Sequence, residues 1–346
     1  MQSLYELTRD ELGLALAGEP RYRVDQLWTG LWEHDLRPED ITTIPKGLRA
    51  KLEDHFPSVV RPVNEVSTDD GATQKWVFQL HDGATVETVL MAYRDRVTVC
   101  VSTQAGCAMA CSFCATGQAG FTRHLTPGEV LEQVFFAARA AAPRRLSNVV
   151  FMGMGEPLAN YSTTVEVVRR LHADRGLSAR HLTVSTVGVA PAIERLANEG
   201  LPLTLAVSLH AANDELRDEI VPLNKRYNLE RLHAACAHWF EVTGRRLSFE
   251  WAMIAGVNDR DRDVAELADY AYSLGAHVNL IPLNPTPGYP VIGSSPERVR
   301  FFRNELMERG VNATVRATRG RAIDAACGQL AQVTNGKRRR LSVTSS

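Results

Sequence analysis

An α/β fold is what this 346-residue sequence predicts: a partial (βα)6 barrel with a small N-terminal helical domain and a β extension. Three observations predict it. Six short segments rich in Val, Leu, Ile and Thr recur at about 96–102, 148–152, 182–185, 203–208, 247–253 and 277–282. Helical patterns fill the gaps, and strands alternating with amphipathic helices pair in parallel through right-handed crossovers. The conspicuous polar motifs all fall where a predicted strand has just ended, the rim at which barrels of this kind gather their functional residues.

Taken in order, residues 1–60 read as a helical accessory domain, with Leu4, Leu7, Leu12 and Leu16 followed by Val24, Leu27, Leu31 and Trp32. Residues 61–92 change to short alternating strands, as in Lys75-Trp-Val-Phe-Gln-Leu80, and form the β extension. Residues 93–326 carry the barrel. Its first strand, Val97-Thr-Val-Cys-Val-Ser102, leads into a cysteine-rich loop. The first crossover helix opens at Thr126-Pro127 with Glu129 behind it, and Val130, Leu131, Val134, Phe135 and Ala138 share one face. Later strands end at Gly153-Met-Gly-Glu-Pro157, Ser185-Thr186, Ser208-Leu-His210 and Asn284-Pro285. With the cysteine loop these make five marked positions at one rim, which points to a single site. Residues 327–346 are a C-terminal segment. No acidic residue follows Asp324, and Lys337-Arg-Arg-Arg340 precedes Ser, Val and Thr, so the last dozen residues are expected to be disordered.

Composition narrows the function classes. With 45% hydrophobic residues the chain can bury one large core plus an appended domain. It shows neither an apolar run of about twenty residues nor a basic leader ahead of an apolar segment, so the expectation is a cytoplasmic enzyme without a membrane span. Net charge is only −1, so a polyanionic partner has to be met by local basic patches.

Of the six cysteines, Cys107, Cys111 and Cys114 form a C-x3-C-x2-C run. Three thiolates within eight residues can wrap one iron–sulfur cluster and leave one iron without a protein ligand, open to a second molecule. A structural zinc site would want a fourth ligand, which His124 could supply, and disulfides are disfavoured in the cytosol. Gly106 and Gly117 flank the run and permit a tight loop. Cys236 reads as a helix core residue. Cys100 and Cys327 read from spacing alone as small buried hydrophobes or as functional thiols, and spacing does not decide.

The cysteine spacing is similar to that of the radical S-adenosylmethionine (SAM) superfamily, and the stretch from about Glu87 to Gln329 resembles the RlmN/Cfr family of adenosine methyltransferases, RlmN more than Cfr. The resemblance rests on Val-Cys-Val-Ser-Thr-Gln-Ala-Gly-Cys (99–107), Phe-Met-Gly-Met-Gly-Glu-Pro-Leu (151–158), Val-Ser-Leu-His-Ala (207–211), Gly-Val-Asn-Asp (256–259), Ile-Pro-Leu-Asn-Pro (281–285) and Ile-Asp-Ala-Ala-Cys-Gly-Gln-Leu (323–330). It implies one 4Fe–4S cluster on Cys107, Cys111 and Cys114, two SAM molecules per turnover, and SAM contacts from Gly155, Glu156, Ser185, Ser208, Leu209, His210 and Asn284. Met154 replaces the first glycine of the superfamily's Gly-Gly-Glu-Pro element, a departure shared by this family.

The resemblance further implies that Cys327 accepts a methyl group from one SAM as a nucleophile and becomes S-methylcysteine. A radical from a second SAM then removes hydrogen from that methyl, and the methylene radical adds to adenine C2, an electrophilic carbon closed to ordinary methyl transfer. Cys100 resolves the protein–RNA thioether through a transient Cys100–Cys327 disulfide. Glu87 matches the family's proton acceptor, whereas the residues alone read it as an exposed strand carboxylate.

The implied substrates are an adenosine of the peptidyl-transferase region of 23S ribosomal RNA and, in some members, the adenosine 3′ of the anticodon in transfer RNA; the base must leave its stack to react. Candidate phosphate contacts are Arg123, Arg144, Arg145, Lys225, Arg226, Arg245, Arg246 and Arg319 to Arg321. The basic tail is equally a solvated solubilising segment or an RNA contact. An electron donor such as flavodoxin or ferredoxin and a monomeric chain are expected. Three alternatives stand beside this one: Cfr-like methylation at C8, a zinc-stabilised RNA-binding module without catalysis, and a radical SAM enzyme for a small molecule or peptide. The last would leave Cys100 and Cys327 without a role.

Overall fold

The computed structural model describes residues 2–284, 291–316 and 329–330. Cys327, Pro285, Arg319 to Arg321 and the basic tail lie outside the described residues. Three helices come first, α1 (Arg9–Ala15), α2 (Tyr22–Trp32) and α3 (Lys46–His55), then a meander of β1 (Val60–Thr68), β2 (Thr73–Leu80) and β3 (Thr85–Ala92). The barrel opens with β4 (Val97–Cys100), followed by β5 (Gln104–Gly106), α4 (Ala115–Gln118) and β6 (Phe121–His124) around the cysteine loop. Strand–helix units follow: α5 (Pro127–Ala140), β7 (Asn148–Phe151), α6 (Tyr161–Ala173), β8 (Leu182–Thr186), α7 (Ala190–Ala197) and β9 (Thr204–Ser208). The chain continues with α8 (Asp214–Ile220), α9 (Leu229–Thr243), β10 (Ser248–Met253), α10 (Asp261–Ser273), β11 (His277–Pro282), α11 (Pro296–Glu308) and β12 (Ala313–Val315).

One sheet runs β1-β2-β3-β4-β7-β8-β9-β10-β11-β12. Its pairs are antiparallel from β1 to β4 and parallel from β4 to β12. The six expected barrel strands are therefore present and paired in chain order. Two features go beyond the sequence reading. β12 adds a further parallel strand on β11, and β5 pairs with β6 in a separate hairpin.

Side-chain alternation sorts each barrel strand. Val184, Val207, Phe249, Trp251 and Leu280 join the apolar core, while Ser185, Ser208, Glu250, Ala252 and Ile281 line a central cavity. On α5 the Thr126 hydroxyl accepts the Glu129 N–H at 3.3 Å and the Glu129 carboxylate accepts the Thr126 N–H at 3.0 Å, the reciprocal cap that the sequence anticipated. Val130, Leu131, Val134 and Phe135 of this helix are fully buried.

The N-terminal helices pack into the same apolar core as the barrel. The Tyr5 ring stacks on Phe135 at 4.1 Å, and Trp32 meets Phe135 edge-on at 5.3 Å. Polar ties reinforce the seam. Arg170 on α6 donates to the carbonyls of Tyr5, Glu6 and Leu7, and Glu132 on α5 accepts from Ser3, Ser58 and Val59. Burial lifts the Glu132 carboxyl above its usual range, and those donors pull it back. Among the described residues no helix is long and apolar enough to cross a membrane.

Candidate active site

The cysteine loop is built by the β5–β6 hairpin. Cys107 N–H donates to the Gly120 carbonyl at 2.8 Å and closes the loop at its base. Gly106 makes this possible: its φ is +78°, and a Cβ there would lie 2.0 Å from the Gly120 oxygen. Gly117 brings α4 against the backbone of Cys111, which a Cβ would meet at 3.1 Å. Phe113, between two of the cysteines, anchors the loop in an apolar cluster with Leu216, Ile220, Val221 and Ile254.

Cys107, Cys111 and Cys114 line one cavity together with Gly155, Glu156, Ser185, Ser208, His210 and Asn284. The cavity is open to solvent, and the space between these residues and its mouth is about 1080 Å³. Burial, with the neighbouring Cys114 adding to it, pushes the Cys107 thiol up to about 12, and the same causes raise Cys111. Such thiols keep their protons at neutral pH unless a metal takes the proton's place, since coordination favours the thiolate. Donor type and number thus suit a three-thiolate cluster, which spreads its sulfurs over three irons; among the described residues no three His, Cys, Asp or Glu side chains converge on a single ion. His124, the conceivable fourth ligand for zinc, instead hydrogen-bonds Gln104 at 3.1 Å.

The loop after β7 is set by two glycines. A Cβ on Gly153 would lie 2.6 Å from the Val101 oxygen, and Gly155 has φ +100° with Gln104 Cβ 2.5 Å from where its own Cβ would be. Glu156 N–H donates to Gln104 Oε1 at 2.8 Å, while its carboxylate accepts Leu158 N–H at 2.9 Å and Val187 N–H at 2.8 Å. Burial raises its pKa to about 7 against the pull of those two N–H groups. His210 sits at φ +58°, and its Nδ1 accepts the Ala252 N–H at 3.0 Å, which leaves the proton on Nε2. Burial, with Arg217 adding to it, holds this imidazole down to about 3, so it is neutral at physiological pH.

Other candidates lie elsewhere. Leu209 is buried in the core rather than in the cavity wall; its backbone N–H donates to the Glu250 carbonyl and its carbonyl accepts from Arg217. Cys100 ends β4, 7% exposed, opposite Val89 on β3 and Val150 on β7. Glu87 corrects the reading from the residues alone. It is buried, because β3 is an inner strand between β2 and β4, and its carboxylate lies 3.3 Å from the equally buried Lys75 ammonium. Register puts Lys75, Val89 and Cys100 in one row across β2, β3 and β4, and Glu87 two residues from Val89 shares their face. Cys236 is a fully buried helix residue, as expected. Three candidate RNA contacts are engaged within the chain: Arg123 by Asp82 and Glu129, Arg144 by the Tyr93 carbonyl, and Arg245 by the Leu203 carbonyl.

The sequence reading missed several residues. Arg217, fully buried, donates to the Leu209, Val187 and Asn224 oxygens and ties the loops after β8 and β9 together. Asn258 bridges the His210 and Ala252 carbonyls. Glu250 and Arg316 line the cavity. A carboxylate inside the apolar run Phe249 to Met253 was the available signal for Glu250. Arg217 had none, since Asp-Glu-Leu-Arg-Asp-Glu-Ile reads as a solvated helix.

A partial parallel barrel with three cysteines at its rim is the hallmark of one class, and the family model described as the radical SAM superfamily matches residues 101–268. A crystal structure of a radical SAM methyltransferase from Sphaerobacter thermophilus is similar with a TM-score of 0.92 and 51% identity, over 95% of this chain and 99% of that one. A Salinispora tropica protein named probable dual-specificity RNA methyltransferase RlmN is 53% identical, over 91% of this chain and 88% of its own length. A Frankia alni protein of the same name is 51% identical, over 98% and 85%. The chain belongs to the RlmN family of radical SAM methyltransferases.

Proposed function

We propose that this enzyme methylates C2 of an adenosine in the peptidyl-transferase region of 23S ribosomal RNA and the adenosine 3′ of the anticodon in transfer RNAs. The observation that carries the reading is the shared cavity: the cysteine trio stands beside Gly155, Glu156, Ser185, Ser208, His210 and Asn284, in a chain about half identical to proteins named for dual-specificity RNA methylation. Cys107, Cys111 and Cys114 would hold a 4Fe–4S cluster, and the polar residues SAM. When bound, these two supply one-electron, hydrogen-abstracting chemistry, with the electron delivered by a flavodoxin or ferredoxin.

The chain's own residues do the rest. Cys327 Sγ carries the methyl group as a thioether. Supporting this, Leu330 lines the cavity and its carbonyl accepts the Thr116 hydroxyl, and a tether of three residues spans at most about 11 Å. Cys100 Sγ attacks the Cys327 sulfur: the S–S bond forms as the S–CH2 bond to the adenosine breaks, and the departing carbon keeps the electron pair and takes up a proton to become the product's methyl group. Glu87 accepts the proton lost from C2, a role supported by its buried position on the face that Cys100 shares. His210, held neutral, offers Nε2–H as a donor to SAM.

The test is anaerobic reconstitution with iron, sulfide, SAM and a reductant, followed by mass spectrometry of nucleosides from digested 23S RNA and transfer RNA. The expected product is 2-methyladenosine. Formation of 8-methyladenosine instead would assign the Cfr-like alternative, and unmodified RNA from a cluster-loaded enzyme would overturn the reading.

A further inference from the structure

Two buried carboxylates face the cavity, and they differ in how their oxygens are used. Glu156 has both bound to backbone N–H groups, of Leu158 and Val187. Glu250 stands in the middle of β10, in register with Ser208 on β9 and Asn279 on β11. It is 4% exposed. Its Oε1 accepts from Asn279 Nδ2 at 2.9 Å and from Ser248 Oγ at 3.2 Å. Its Oε2 is buried and accepts no hydrogen bond among the described residues. The Arg316 guanidinium comes to 3.7 Å, close enough for attraction and too far for a hydrogen bond. A buried carboxylate oxygen held in place on one side and bare on the other is an acceptor waiting for a donor, because burial without a partner is costly.

We propose that Glu250 Oε2 is a recognition site for an adenosine, accepting a hydrogen bond from its 6-amino group or a ribose hydroxyl. The inference rests on the function proposed above, by which two adenosines enter this cavity: that of SAM and the target nucleotide of the RNA. Ser248 and Asn279 fix the carboxylate from below, so the free oxygen presents one defined acceptor. A nucleoside that lacks the matching donor would leave that oxygen bare.

The test uses E250Q in the cluster-loaded enzyme. Asn279 and Ser248 hold the amide oxygen where Oε1 was, so the substitution turns the open acceptor into a donor at nearly constant shape. One arm titrates S-adenosylhomocysteine calorimetrically, alongside its purine-riboside and 2′,3′-dideoxy analogues. The other measures kcat/KM for RNA with adenosine, purine riboside or 2′-deoxyadenosine at the target. The expected result is a loss of about 10- to 100-fold in one arm that disappears with the analogue missing the donor. Loss in the calorimetric arm assigns the contact to SAM; loss in the RNA arm alone assigns it to the target. Unchanged behaviour in both arms, or an equal loss with and without the donor, overturns the role of Glu250. A wild-type enzyme that neither binds S-adenosylhomocysteine nor methylates RNA overturns the underlying function as well, and so separates the two failures.

Discussion

The hydroxyl of Thr116, two residues past Cys114, donates a 2.5 Å hydrogen bond to the carbonyl of Leu330, three residues past Cys327. Both residues are buried, so the hydrogen bond ties the cysteine loop to Leu330 at the cavity wall. Replacing Thr116 with the isosteric Val leaves that carbonyl without its donor, at a cost of about 1–3 kcal/mol. T116V is expected to keep its iron content while limited proteolysis cuts near Leu330 several-fold faster. Unchanged cleavage would show that the contact does not anchor the segment.

Gly106 has no room for a side chain. G106A drives a methyl group into the Gly120 carbonyl at the base of the cysteine loop. The expected outcome is loss of most of the iron and sulfide after anaerobic reconstitution, with the fold outside the loop retained by circular dichroism. Full iron binding by G106A would contradict the packing described.

Arg217 is a buried cation satisfied by backbone and Asn224 oxygens. R217M removes the donors and leaves the Val187 carbonyl without its partner, while the Leu209 carbonyl keeps only the Ala211 N–H, a loss of about 3 kcal/mol by the reasoning for broken buried networks. Chemical denaturation should report it, and affinity for S-adenosylhomocysteine should fall with it, since the same arginine steadies the loops bearing His210 and Thr186.

His210 gives a pH signature. Its folded-state pKa is depressed to about 3 from 6.5, so below pH 6.5 the unfolded chain takes up a proton that the folded chain refuses. Stability from this group is whole above 6.5 and is lost as pH falls toward 3. Between pH 7 and pH 5 the wild type should lose roughly 2 kcal/mol more than H210N, whose asparagine tolerates the left-handed backbone. Equal slopes for the two proteins would mean that His210 titrates freely.

Much of this architecture could be read from the residues. The barrel strands lie within a residue or two of where β-branched runs placed them, and Thr126, Pro127 and Glu129 cap α5 as their spacing implied. Such features are local: propensity, periodicity and capping act over a few residues. What the residues concealed is non-local. β12 is three residues long and exists by pairing with β11, and β6, Phe121-Thr-Arg-His124, is mostly exposed and held by β5 across the cysteine loop. Glu87 looked exposed because alternation shows that a strand has two faces and not that both are covered. Glu250 and Arg217 are polar residues whose meaning appears only when distant loops meet around them.

The most direct measurement is mass spectrometry of Cys100→Ala purified from cells after nuclease treatment. If Cys327 carries the carbon and Cys100 releases it, the variant should retain a nucleotide-sized adduct on Cys327 that is missing from the Cys100→Ala, Cys327→Ala double variant. An adduct-free Cys100→Ala protein, from cells where the wild type methylates RNA normally, would contradict the paired-thiol chemistry at the centre of the proposed function.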